Sequence, residues 1–200
     1  MRNLISFFSI LILVVLSPIA SAKTVGLDTL KVDKSFEFQQ DPVWCWAATI
    51  QMALNYYGFN VTQADIVSRT FGTAVSSTGN WIQMTNNLNY LGTSTNGKKI
   101  LVSATVYSGS PSSEAIINHL KNKKPIIMAF NNPSTFTGHA ILITGVDYHF
   151  SGKKAVIDNL IIRDPFPYSA MHVSNGGKIT YPNVINPTNI WLIDATEEVD

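Results

Sequence analysis

The sequence predicts an α+β protein with an N-terminal helical lobe followed by a C-terminal antiparallel β lobe. Two observations carry this. Up to about residue 121, apolar residues recur at helical spacing and are closed off by glycines. From Pro125 onward the apolar segments are short, rich in Ile, Val and aromatics, and bounded by Gly, Pro and Asn, which are strand signals. Helices first and strands afterwards imply segregated lobes rather than alternating α/β units. A third observation sets the scale: 200 residues, 46% apolar and only 14% charged, are enough for one domain with a sizeable core.

Taken in order, Met1-Arg2-Asn3 is a short positive start and Leu4 to Leu16 an uncharged apolar run. Ser17-Pro18 ends that run, and Ala20-Ser21-Ala22 is a small-residue cleavage site. This is the three-part layout of a secretory signal peptide, and the run is too short for a transmembrane helix. Cleavage after Ala22 is expected, leaving residues 23–200 as one soluble, secreted or periplasmic domain. Lys23 to Gln40 is polar and expected to be extended. Asp41-Pro42 favours a helix start, Trp46, Ile50, Ala53, Leu54 and Tyr57 continue it, and Gly58 stops it. Thr62 and Asp65 form a variant capping box for a helix through Phe71, closed by Gly72. Trp81 to Leu91, closed by Gly92, predicts a third helix, and Ser112-Ser113-Glu114 opens a fourth to about Lys121. Predicted strands are Pro125–Phe130, His139–Tyr148, Leu160–Arg163, Lys178–Tyr181 and Ile190–Ile193. Ser76–Asn80 and Thr93–Lys99 are expected to be polar loops.

Several functions are excluded or disfavoured. Basic residues number 14 and acidic residues 13, so there is no basic excess of the kind nucleic-acid binders show. No His-Glu-x-x-His, paired Cys, acidic calcium loop, phosphate loop or Gly-x-Ser-x-Gly occurs, so no metal and no cofactor are expected. With one Cys, no internal disulfide can form.

That lone Cys45 is the informative residue, because structural cysteines of exported proteins normally pair. It is either a small buried hydrophobe or a nucleophile. Its expected position at the start of a helix favours the second, since unpaired backbone N–H groups and the helix dipole there stabilise a thiolate. A thiolate catalyst needs a base, an orienting group and an oxyanion hole. His139 opens the apolar run His139-Ala140-Ile141-Leu142-Ile143 after Gly138, at a strand end. His119, His149 and His172 fit surface or satisfied core positions. Asp164 ends Leu160-Ile161-Ile162-Arg163 and is placed either to accept from an imidazole or as an ordinary turn Asp before Pro165. Gln39, six residues before Cys45, carries an amide that could donate to an oxyanion beside the Cys45 N–H.

Gln39…Cys45-Trp46-Ala47-Ala48, then Gly138-His139-Ala140, then Asp164-Pro165 resembles the papain-like cysteine peptidases. The Cys-Trp-Ala-Ala form is similar to the bacterial branch of staphopains, avirulence-type effector proteases and bacteriocin-leader peptidases. The resemblance spans roughly Phe36 to Ile193. It implies that Cys45 is the nucleophile, His139 the general base and then acid, Asp164 its orienting partner, and Gln39 a component of the oxyanion hole. It implies hydrolysis of protein or peptide substrates through a thioester. Asp164 stands where eukaryotic members carry Asn, and no inhibitory pro-region of useful length is expected between Ala22 and Gln39. The fold leaves substrate open. A cell-wall amidase, a deamidase, a transglutaminase-like acyltransferase or a catalytically silent binding module remain alternatives, and oligomeric state is not encoded in any motif.

Overall fold

The computed structural model describes residues 22–131, 138–166, 178–182 and 186–198. The predicted signal segment, up to residue 21, and His172 lie outside them. In chain order the elements are β1 (Lys23–Gly26), α1 (Thr29–Ser35), α2 (Cys45–Tyr56), α3 (Gln63–Phe71) and α4 (Trp81–Leu88), then β2 (Tyr90–Thr93), β3 (Lys99–Ser108), α5 (Ser113–Lys121), β4 (Ile126–Asn131), β5 (Gly138–Ser151), β6 (Lys154–Arg163), β7 (Lys178–Pro182) and β8 (Pro187–Glu197). The architecture is α+β, with a helical N-terminal part and a large antiparallel sheet, as expected.

The sheet runs β2-β3-β8-β4-β5-β6-β7, and β1 pairs with the second half of β5. Every pairing is antiparallel. Alternate residues on the central strands feed two separate cores. Ile127, Ala140, Leu142, Trp191 and Ile193 join apolar residues of α2, α3 and α4. Their neighbours Ile126, Met128, Ile141, Ile143, Ile190 and Leu192 join Val32 of α1 and Ile116, Ile117 and Leu120 of α5. Both faces of the sheet are therefore covered, and a one-residue slip would exchange the two apolar sets, which fixes the register strongly.

Local chemistry explains the helices. In α3, Thr62 Oγ1 accepts from the Asp65 N–H while the Asp65 carboxylate accepts from the Thr62 N–H, and Gly72 closes the helix at φ 82°. In α5, Ser112 Oγ accepts from the Ala115 N–H. Four expectations need correction. The polar segment 23–40 is not simply extended: it holds β1 and α1, the latter capped by Asp28, whose side chain accepts from the Lys31 N–H. The helix expected from Asp41 begins at Cys45, because Asp41 Oδ1 accepts from the Val43 N–H at 3.0 Å and so favours a turn over a helix there. The third helix stops at Leu88, and Leu91 leaves it to pair with Leu101. That pairing reveals β3, a strand absent from the expected set, so β1, β2 and β3 interrupt the helices-then-strands order.

Candidate active site

Cys45 is the first residue of α2, and its side chain is half-buried. The preceding Trp44 supplies no side-chain cap, and the first turn carries no acidic residue. The N–H groups there have no partner within the helix, so this end of α2 is electropositive and favours negative charge at the sulfur or on an adjacent oxygen. Two indoles brace the entry. Trp44 Nε1 donates to Val75 O at 3.0 Å and Trp46 Nε1 to Ser77 O at 3.1 Å. Gly79 lies so close to the Trp46 ring that a Cβ there would meet it at 2.4 Å. The loop expected at Ser76–Asn80 thus packs beside the start of α2.

His139 lies at the first end of β5, opposite Phe130 of β4. Its Nε2 is 2.8 Å from Asp164 Oδ1, just past the end of β6. Cys45 lies near the same ring, close enough for its side chain to favour the charged imidazole, and with Nε2 taken by Asp164 the nitrogen left for the sulfur is Nδ1. The structure therefore brings together Cys45, His139 and Asp164, from α2, β5 and the end of β6. The His139 side chain is 15% exposed and that of Asp164 8%, so the pair is largely shielded from water. Burial alone would lower the His139 pKa. Hydrogen bonds to Asp164 and Cys45, with their charges, outweigh it and push the value up to about 9. Phe130 and Phe166 meet the imidazole edge-on, with ring centroids 5.7 and 6.3 Å away. Asp164 Oδ1 also accepts from the Phe166 N–H at 2.9 Å, which fixes the carboxylate.

Gln39 is buried, in the extended segment before α2. Its Nε2 donates to Asp41 O at 2.9 Å and Pro42 O at 2.8 Å, so the donor end of the amide is held along the loop that enters α2. Its Oε1 is buried with no hydrogen-bond partner among the described residues. The Gln39 N–H donates to Pro165 O at 2.8 Å, joining this segment to the residue after Asp164.

Sequence reasoning missed three supporting residues. Gln63, wholly buried at the start of α3, donates from Nε2 to Phe38 O and accepts from the Gln40 N–H through Oε1, both at 2.9 Å. A Gln in the first turn of a helix gives no sequence signal of burial. Arg163 ties to Asp33 and Phe166 to Asp164, and both contacts depend on tertiary placement. The other described histidines fit the bland expectation: His119 Nε2 is 3.1 Å from Ile193 O in the interior, and His149 pairs with Asp158. Among the described residues no three His, Cys, Asp or Glu side chains gather as a metal site.

The chain belongs to the Peptidase_C39 like family, whose model matches residues 31–184. It is a papain-like cysteine-type peptidase. No curated protein matches it. Among solved structures it is similar to the peptidase domain of Streptococcus ComA, described as a bi-functional ABC transporter involved in a quorum sensing pathway, at 13% identity and a TM-score of 0.48. That match covers 82% of this chain and 98% of the ComA chain.

Proposed function

We propose that the chain is an exported peptidase in which Cys45, His139 and Asp164 act as a triad, with Gln39 and the Cys45 N–H as the oxyanion hole. The observation that carries this is the imidazole of His139, held by Asp164 on one nitrogen at 2.8 Å with Cys45 close enough to favour its charged form. The signal-like start of the sequence supports export.

In this reading the Cys45 thiolate attacks the scissile carbonyl carbon, and the carbonyl electrons move onto oxygen. The oxyanion is met by the Cys45 N–H at the head of α2 and by one Nε2 proton of Gln39, released from its loop carbonyl. As the tetrahedral species collapses, the carbon–nitrogen bond breaks and protonated Nδ1 of His139 gives its proton to the departing amine, leaving a thioester on Cys45. Water then attacks the thioester while neutral His139 takes its proton. Collapse expels the thiolate, and the acid product leaves with the thiolate–imidazolium pair restored. Asp164 keeps the ring oriented and stabilises its charged form throughout.

A quenched-peptide library incubated with the wild-type chain and with Cys45→Ala tests the proposal. Cleavage by the wild type that disappears in the variant is expected, and equal cleavage by both would overturn it. Release of peptidoglycan fragments with no peptide cleavage would move the substrate to the cell wall.

A further inference from the structure

We infer that Gln63 is a positioning residue: from the first turn of α3 it fixes the Gln39 segment and thereby sets how well the site stabilises the oxyanion. The inference rests on the role proposed above for Gln39.

The side chain of Gln39 is held at its donor end only. Its donor end has two carbonyls, but its buried Oε1 has no partner among the described residues, and an unpaired buried polar atom is costly. Its placement therefore depends also on the backbone on either side. That backbone is fastened at three consecutive residues. Phe38 O accepts from Gln63 Nε2, the Gln39 N–H donates to Pro165 O, and the Gln40 N–H donates to Gln63 Oε1. One Gln63 amide thus acts like a short neighbouring strand, pairing one acceptor and one donor that flank Gln39. The middle bond ties the same residue to the turn that follows Asp164. Without Gln63 a single backbone bond remains of the three, and the segment can pivot about it.

The clamp both stabilises and orders. Gln63 is wholly buried, so freeing Phe38 O and the Gln40 N–H costs some stability, which denaturation of the variant measures separately from kcat. The loss specific to catalysis is one of alignment. A donor displaced by a fraction of an ångström serves the transition state poorly while leaving ground-state binding intact.

The test uses the purified full chain and a quenched peptide selected with it from a library. Gln63→Met keeps the size of the side chain and removes both hydrogen bonds. It should lower kcat by about 10- to 100-fold, since losing an oxyanion donor outright costs about 10²–10³, while KM changes little. Alkylation of Cys45 by iodoacetamide forms no oxyanion and should keep its wild-type rate. In a Gln39→Ala background, Gln63→Met should bring no further fall in kcat, because both changes disable one device. Gln63→Glu adds a pH readout that does not depend on the methionine variant folding. Protonated, it donates to Phe38 O and accepts from the Gln40 N–H as Gln does. Ionised, it loses the donor, so its activity should fall at lower pH than that of the wild type. The inference is overturned by a wild-type kcat in Gln63→Met, by an equal loss in the Gln39→Ala background, by a parallel drop in alkylation, or by a wild-type pH limb in Gln63→Glu. If Gln39→Ala itself retains wild-type kcat, the oxyanion role of Gln39 fails and this inference falls with it. If Gln39→Ala is impaired and Gln63→Met is not, the inference alone fails.

Discussion

Arg163 Nη2 donates to Asp33 Oδ1 at 2.6 Å and so fastens α1 to the residue immediately before Asp164. The Arg163 side chain is 3% exposed and that of Asp33 50%. A buried guanidinium is thus balanced by a carboxylate reached from the surface. Asp33→Ala leaves that charge without its ion-pair partner. Breaking a fully buried pair costs about 3–5 kcal/mol, and solvent on the Asp33 side reduces this to roughly 1–3 kcal/mol. Urea denaturation of the variant and the wild type measures the difference. An unchanged midpoint would show that the pair does not brace this end of β6.

Asp164 governs the pH range in which His139 stays charged. His139 titrates near 9, above its ordinary value of 6.5, because hydrogen bonds and charge from Asp164 and Cys45 outweigh the opposing effect of burial. The imidazolium is present below that value and is lost as pH rises through it. The alkaline limb of kcat/KM should therefore fall near pH 9 in the wild type. In Asp164→Asn the negative charge is gone, and the limb should move down toward 6.5 while the ring stays hydrogen-bonded. A full pH–rate profile of both proteins checks this, and coincident limbs would count against the pair.

Gly79 is the narrowest tolerance beside α2. A methyl group there would lie 2.4–2.8 Å from three atoms of the buried Trp46 ring, and Trp46 follows Cys45 on α2. Gly79→Ala forces the indole or the loop to move. The expected cost is about 1–3 kcal/mol, as for other overpacked interiors, together with a fall in kcat. Thermal unfolding and tryptophan emission report the shift, and wild-type behaviour in both would show that the loop yields without cost.

Much of this was legible in the sequence where the signal is local. The Thr62–Asp65 box and Gly72 bound α3 because capping chemistry acts within one turn. Strands β4 to β8 were visible as β-branched and aromatic segments, though each runs longer than its apolar centre. What escaped depended on partners far along the chain. In β3, Ile100 and Val102 are buried while Leu101 is exposed, a short alternation that adjoins the polar Thr93–Lys99 stretch and is masked by it. In α1 only Val32 and Ser35 are buried, so its seven residues look like polar chain. The gathering of Cys45, His139 and Asp164 follows the residue types and their order. The alignment of the Gln39 segment, by contrast, is set by Gln63 and Pro165, which no local pattern joins to it.

The placement of β8 between β3 and β4 has a consequence for synthesis. A nascent chain still lacking Pro187–Glu197 holds β2 and β3 with no partner linking them to the strands that carry His139. The ribosome must finish this segment before the sheet can close around it. An incomplete product is therefore expected to lack peptidase activity.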